Sequence, residues 1–147
     1  MATPEENAAT VRELIQRVLN EGDMGFAEKV LSESFVGINP MAGGTADKAG
    51  AIAMFNMMRA WIPDMHTEVE DVIATGNKVA VRSTMTGTDT TGFVPGTPPT
   101  GKAFSMGGID VFTFDDAGMN TGHYGVYDMM GAMGQLGLLP APPPPPA

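Results

Sequence analysis

The 147-residue chain contains no cysteine. Disulfides, thiolate nucleophiles and cysteine-ligated metals are therefore excluded, and the redox compartment is left open. Cations are scarce too: 8 Lys and Arg stand against 17 Asp and Glu, a formal net charge of −9. Phosphate-backbone recognition works through clustered cations that displace counterions, so the balance argues against a nucleic-acid partner. The lack of any Lys/Arg run argues equally against an anionic membrane surface. No apolar stretch reaches the roughly 18 residues of a membrane span. The two histidines, His66 and His123, lie far apart with no cysteine near them and make a poor metal site. The glycines match neither the phosphate-binding loop nor the dinucleotide fingerprint, and there is no Gly-x-Ser-x-Gly elbow. No metal and no cofactor is expected. The N-terminal Met-Ala-Thr-Pro-Glu-Glu has no basic or apolar region of the secretory kind, so a cytoplasmic protein is expected.

What remains is globular. Hydrophobic residues make up 43% and charged residues 17%, enough to bury a core in one domain. Methionine is frequent, at 13 residues. Its flexible thioether adapts to irregular apolar shapes, which suits a Met-rich core or the lining of a cavity for a large apolar ligand.

Val11, Leu14, Ile15, Val18 and Leu19 recur at helical spacing. The helix they predict starts near Pro4 and stops at Asn20-Glu21-Gly22. Asp23 caps a second short helix through about Leu31, and a third runs from about Asp47 to Trp61, ended by Pro63. Between them, residues 34–40 read as a short extended piece leading to Gly43-Gly44. The pattern then changes to β-branched runs: His66–Ala74 and Lys78–Thr86 around a Thr75-Gly76-Asn77 turn, Ala103–Phe114, and Met119–Asp128 after an Asp115–Gly118 turn. Gly92–Gly101 holds three Pro and three Gly and reads as a loop. Met129–Leu139 predicts a last helix weakened by Gly131, Gly134 and Gly137. Residues 1–140 are expected to form the domain and 141–147 a disordered proline-rich tail. Helices followed by antiparallel strands predict an α+β cone: three N-terminal helices packed in a strongly curved antiparallel sheet of at least four strands, with a ligand site at its mouth.

Residues 69–82, Thr86-Gly-Thr88, Gly96-Thr-Pro-Pro-Thr-Gly101, Gly108-Ile-Asp-Val-Phe112 and Gln135-Leu-Gly-Leu-Leu-Pro140 resemble the SnoaL-like polyketide cyclases. The likeness covers about Asn7 to Pro140. It implies the cone shared with nuclear transport factor and ketosteroid isomerase, a homodimer, and an intramolecular aldol step on a small apolar polyketide. It also implies an acidic general base on the last strand. That strand in the family ends like Glu-His-Trp-Asp, whereas here it reads Gly122-His123-Tyr124-Gly125. Gly125 carries no proton. The resemblance therefore leaves three functions open: ring closure by another base or by shape alone, plain binding of a hydrophobic ligand, or proton transfer of the ketosteroid-isomerase kind. The Asp-to-Gly difference is also expected to leave volume beneath the pocket for a bulky substrate.

Asp110 interrupts an apolar strand, where a carboxyl needs a partner or a proton. It is the first catalytic candidate. Pairing Phe114 with Met119 predicts Asp110 opposite His123, the second candidate. Tyr127 shares sheet parity with His123 and is the third, as a donor to a developing enolate. Each also has a bland reading, as a buried bonded acid, a structural histidine and a packing aromatic. Asn39, Met54, Met58, Trp61, Met106 and Gly125 are the expected substrate-binding positions. His66 is expected at the surface, and Arg82 either at the surface or paired with an internal acid.

Overall fold

The structure, a computed structural model, describes residues 1–39, 43–140 and 143–147, and of Asn39 only the backbone. Pro40 of the expected extended piece and residues 141–142 of the expected tail lie outside the described residues; residues 143–147 form neither helix nor strand.

Helix α1 (Pro4–Glu13) starts on a reciprocal cap. The Thr3 hydroxyl accepts from the Glu6 amide at 3.2 Å, and the Thr3 amide donates to the Glu6 carboxylate at 2.8 Å. Two amides that no helical carbonyl can reach are thereby satisfied. The helix continues without a break as π-helical turns over Leu14–Asn20 and stops at Gly22, whose φ of +79° suits a residue without a Cβ. Asp23 caps α2 (Met24–Val30) through the Phe26 amide, and Asp47 caps α3 (Lys48–Trp61) through Gly50.

The strands are β1 (Leu31–Asn39), β2 (Gly44–Ala46), β3 (His66–Thr75), β4 (Lys78–Thr88), β5 (Ala103–Phe114) and β6 (Asn120–Tyr127). They form one curved sheet in the order β2-β1-β6-β5-β4-β3. The sheet thus has six strands, and one pairing, β1 with β6, is parallel where antiparallel neighbours were expected. Local pattern reports that a segment is extended but not which distant strand it joins. Helix α4 (Met129–Gln135) closes one end. Its Gln135 side chain bonds both the amide and the carbonyl of Ser105 on β5, at 2.8 and 2.9 Å.

The helices cover one face of the sheet. Along β4 the alternation is strict, with Val79, Val81, Ser83, Met85 and Gly87 buried. Val79, Val81 and Phe114 pack on Val11 and Ile15, each full burial contributing roughly 1.5–3 kcal/mol. A second cluster joins Leu14, Val18, Phe26, Leu31, Phe35 and Ala51. A third, toward α4, gathers Met65, Met85, Met106, Phe93, Phe104 and Leu136, with Met58, Trp61, Tyr127, Met129 and Met133 against it. Six methionines thus meet in one cluster. Among the described residues, no helix is long and apolar enough to cross a membrane.

The β4–β5 loop is pinned over this third cluster. Buried Asp89 accepts from the Gly92 amide at 3.0 Å and from the Thr100 amide at 2.9 Å. Burial alone would raise its pKa, but donors from Thr100, Gly92 and Phe93 outweigh burial and hold the carboxyl below its ordinary value. Trp61 Nε1 donates to the Gly92 carbonyl at 3.2 Å, and Phe93 lies 5.0 Å from both the Trp61 and Phe104 rings.

Candidate active site

The β5–β6 hairpin sets the site. The Asp115 carboxylate accepts from the Ala117 and Met119 amides and shapes the turn, which Gly118 completes at φ +79°. An irregularity between Thr113 and Phe114 then shifts the register, so Phe114 faces Asn120 rather than Met119. The expected pairing of Asp110 with His123 is corrected by two residues: Asp110 lies opposite Gly125, while His123 faces Phe112 and Tyr127 faces Gly108. A shift of two keeps every side chain on its face. His123 and Tyr127 therefore flank Asp110 as diagonal neighbours, a separation that aromatic side chains span.

They do span it. His123 Nε2 lies 2.7 Å from Asp110 Oδ1, and the Tyr127 hydroxyl donates to the same oxygen at 2.6 Å. The three expected catalytic residues thus form one hydrogen-bonded group on the covered face of the sheet. Asp110 is 7% exposed and directly opposite Val81 on its other side. Among the described residues, no buried side-chain nitrogen or oxygen lacks a partner, and no group of three His, Asp or Glu gathers as a metal site.

Gly125 has a different place from the one expected. A Cβ built on it would stand 2.5 Å from Asp110 Oδ1 and 2.5 Å from the Tyr127 hydroxyl. The volume freed by glycine is filled by the hydrogen bond between those two groups, not left open beneath a pocket. Of the other expected positions, Met58, Trp61 and Met106 meet in the methionine-rich cluster that Tyr127 adjoins. Met54 is half-buried one turn before Met58 on α3, and the Asn39 side chain lies outside the described residues. His66 is exposed beside Glu68. Arg82 is on the outer face, paired with Asp71 at 2.7 Å. Sequence reasoning missed Gly108, which faces Tyr127 across the hairpin.

Burial first, then the charge of Asp110 and the hydrogen bond to it, push the Tyr127 phenol well above its ordinary value. The unfolded chain ionises this tyrosine near pH 10, while the folded chain keeps it protonated. Its contribution to stability is therefore whole below about pH 10 and is lost as pH rises beyond it. We expect unfolding free energy above pH 10 to carry a component of about 1.4 kcal/mol per pH unit from this one proton. Tyr127→Phe should remove it in urea titrations run at pH 9 to 11; an unchanged slope would place the phenol outside the buried network.

The SnoaL-like polyketide cyclase family model matches residues 9–136. Among solved structures, IdmH of Streptomyces antibioticus, assigned as a polyketide cyclase, is 27% identical with a TM-score of 0.80, over 89% of this chain and 98% of that one. AclR of Streptomyces galilaeus, assigned as a hydroxylase, is 25% identical with a TM-score of 0.81, over 97% and 91%. TsrD of Streptomyces laurentii is 25% identical with a TM-score of 0.80, over 95% and 100%. No curated protein sequence matches the chain.

Proposed function

Because the chain belongs to the SnoaL-like polyketide cyclase family, we propose that it is an enzyme that closes a ring within a small apolar, polyketide-type chain. One fold carries many reactions, and its neighbours here include both a cyclase and a hydroxylase assignment, so the reaction must be argued from the site. The observation that carries the reading is the Asp110 carboxyl, set in an apolar wall and held by His123 and Tyr127 beside the methionine-rich cluster.

In this reading Asp110 takes a proton from the carbon between two carbonyls. The resulting enolate carbon attacks a second carbonyl carbon of the same chain, forming the carbon–carbon bond. The attacked oxygen then receives the proton, so the product is an isomer and no co-reactant is consumed. The Tyr127 hydroxyl donates to Asp110 and His123 Nε2 lies against the same oxygen, so in this reading both hold the base in place rather than the substrate's oxygen. Met58, Trp61 and Met106, with Met54 beside them, take the hydrocarbon part. Methionine side chains swing aside at small cost, which suits a site that must fit an irregular apolar ligand. The test is to incubate the protein with synthetic polyketide methyl esters and follow ring-closed product by chromatography and NMR. Accumulation of product above the uncatalysed rate supports an enzyme. Tight binding without product supports a ligand-binding module instead.

The assembly belonging to this reading is a homodimer formed through the uncovered sheet face. Ile38 faces Tyr124, and Val126 faces Ile109, as neighbouring pairs across β1, β6 and β5. All four are exposed at 42–51%. An apolar stripe of this kind on an ordered sheet is costly to leave in water. The wild type is expected at twice the protomer mass in light scattering, and Val126→Asp at the protomer mass. A monomeric wild type removes the dimer.

A further inference from the structure

Glycine is disfavoured inside strands, because it gives up more chain entropy than other residues and packs nothing. The β5–β6 hairpin nonetheless places Gly108 and Gly125 around Tyr127. Neither has a positive φ, so neither glycine is needed for backbone conformation. Each is needed for space. A Cβ on Gly108 would overlap Tyr127 Cδ1 and stand 3.0 Å from Cε1. A Cβ on Gly125 would meet the other end of the same side chain, at the hydroxyl and Cζ. The phenol ring therefore lies flat along the sheet, over bare backbone from Gly108 to Gly125. That lie is what carries its hydroxyl to Asp110 rather than out toward the helices.

We infer that Gly108 is a positioning residue, whose missing side chain seats the Tyr127 ring and so delivers the phenol hydroxyl to the Asp110 carboxyl. The inference rests on reading Asp110 as the acid–base group. The seating itself is measurable without any substrate, so its failure and the failure of the ring-closure reading are separate results.

The neighbouring Gly107 supplies the control. It lies on the same strand, also lacks a positive φ, and a Cβ there has nothing within 4 Å. The experiment uses the chain with Tyr124→Phe, which leaves Tyr127 as the only one of the two tyrosines. Tyrosinate absorbance at 295 nm is followed against pH, with the fold monitored at each point by circular dichroism. The parent and Gly107→Ala should show no tyrosinate while folded. Gly108→Ala should show one full tyrosinate in the folded protein. If Gly108→Ala stays as silent as the parent, or if Gly107→Ala releases the tyrosine equally, the inference is wrong. Should Gly108→Ala fail to fold, Gly108→Ala with Tyr127→Ala decides: recovery of the fold locates the clash at the ring, and continued failure overturns the inference.

Discussion

Asp110→Asn is expected to lower the rate of ring closure by at least about 100-fold, the lower end of what a positioned general base contributes. The substitution keeps shape and leaves an oxygen to accept from the Tyr127 hydroxyl, so packing on the covered face should survive. What it removes is the capacity to hold the substrate's proton. His123 Nε2 keeps its place against the residue-110 side chain at 2.7 Å, so the comparison tests the carboxyl itself. The measurement is single-turnover product formation by both proteins, with thermal melts to show that the variant is folded. Unchanged turnover would remove Asp110 from the chemistry. Closure would then rest on confinement of the chain in a reactive conformation, which can itself supply several kcal/mol. A loss of substrate affinity with kcat intact would make Asp110 a binding group.

Much of this site was legible in the sequence because it depends on parity and on cost. A lone carboxyl between Ile109 and Val111 announces itself, since an apolar strand does not bury an acid without partners. His123 and Tyr127 share a face with Asp110 at any even register, so a pairing wrong by two residues still brought these three side chains together. The cap at Asp23 and the stop at Gly22 were equally local and equally readable. Other features were not. The parallel pairing of β1 with β6 joins segments some 85 residues apart, and its partner choice is settled by the closed core rather than by either strand. The register shift at Thr113 arises from turn geometry that hydrophobic pattern does not encode. The glycines were the hardest to interpret. Beside the family's Asp, Gly125 reads as missing volume, yet a hydrogen bond occupies that volume. Gly108 was missed, because a glycine in a strand can mark close approach but only the folded hairpin shows a phenol ring there.

The second large effect follows from the same crowding. Gly125→Ala puts a methyl group 2.5 Å from both Asp110 Oδ1 and the Tyr127 hydroxyl, far inside van der Waals contact. Backbone strain cannot explain any cost, because Gly125 has no positive φ. The methyl group must separate the acid from its phenol and disturb the bond to His123. Two hydrogen bonds to a buried carboxyl are worth about 3 kcal/mol together. In a domain of this length that corresponds to a fall in Tm of roughly 10 °C. A cavity or a simple loss of strand propensity would predict a different dependence on Asp110. If crowding of the carboxyl is the cause, the same Gly125→Ala change made in an Asp110→Ala background should cost under about 1 kcal/mol, because one of the two atoms it strikes is gone and the Tyr127 side chain, released from the carboxyl, can shift away. Urea denaturation of the four proteins gives the coupling directly. A coupling of about 2 kcal/mol or more ties Gly125 to the acid. Additive costs would mean that the glycine serves the strand and not the site, and that the place opposite Asp110 is free to accept a side chain.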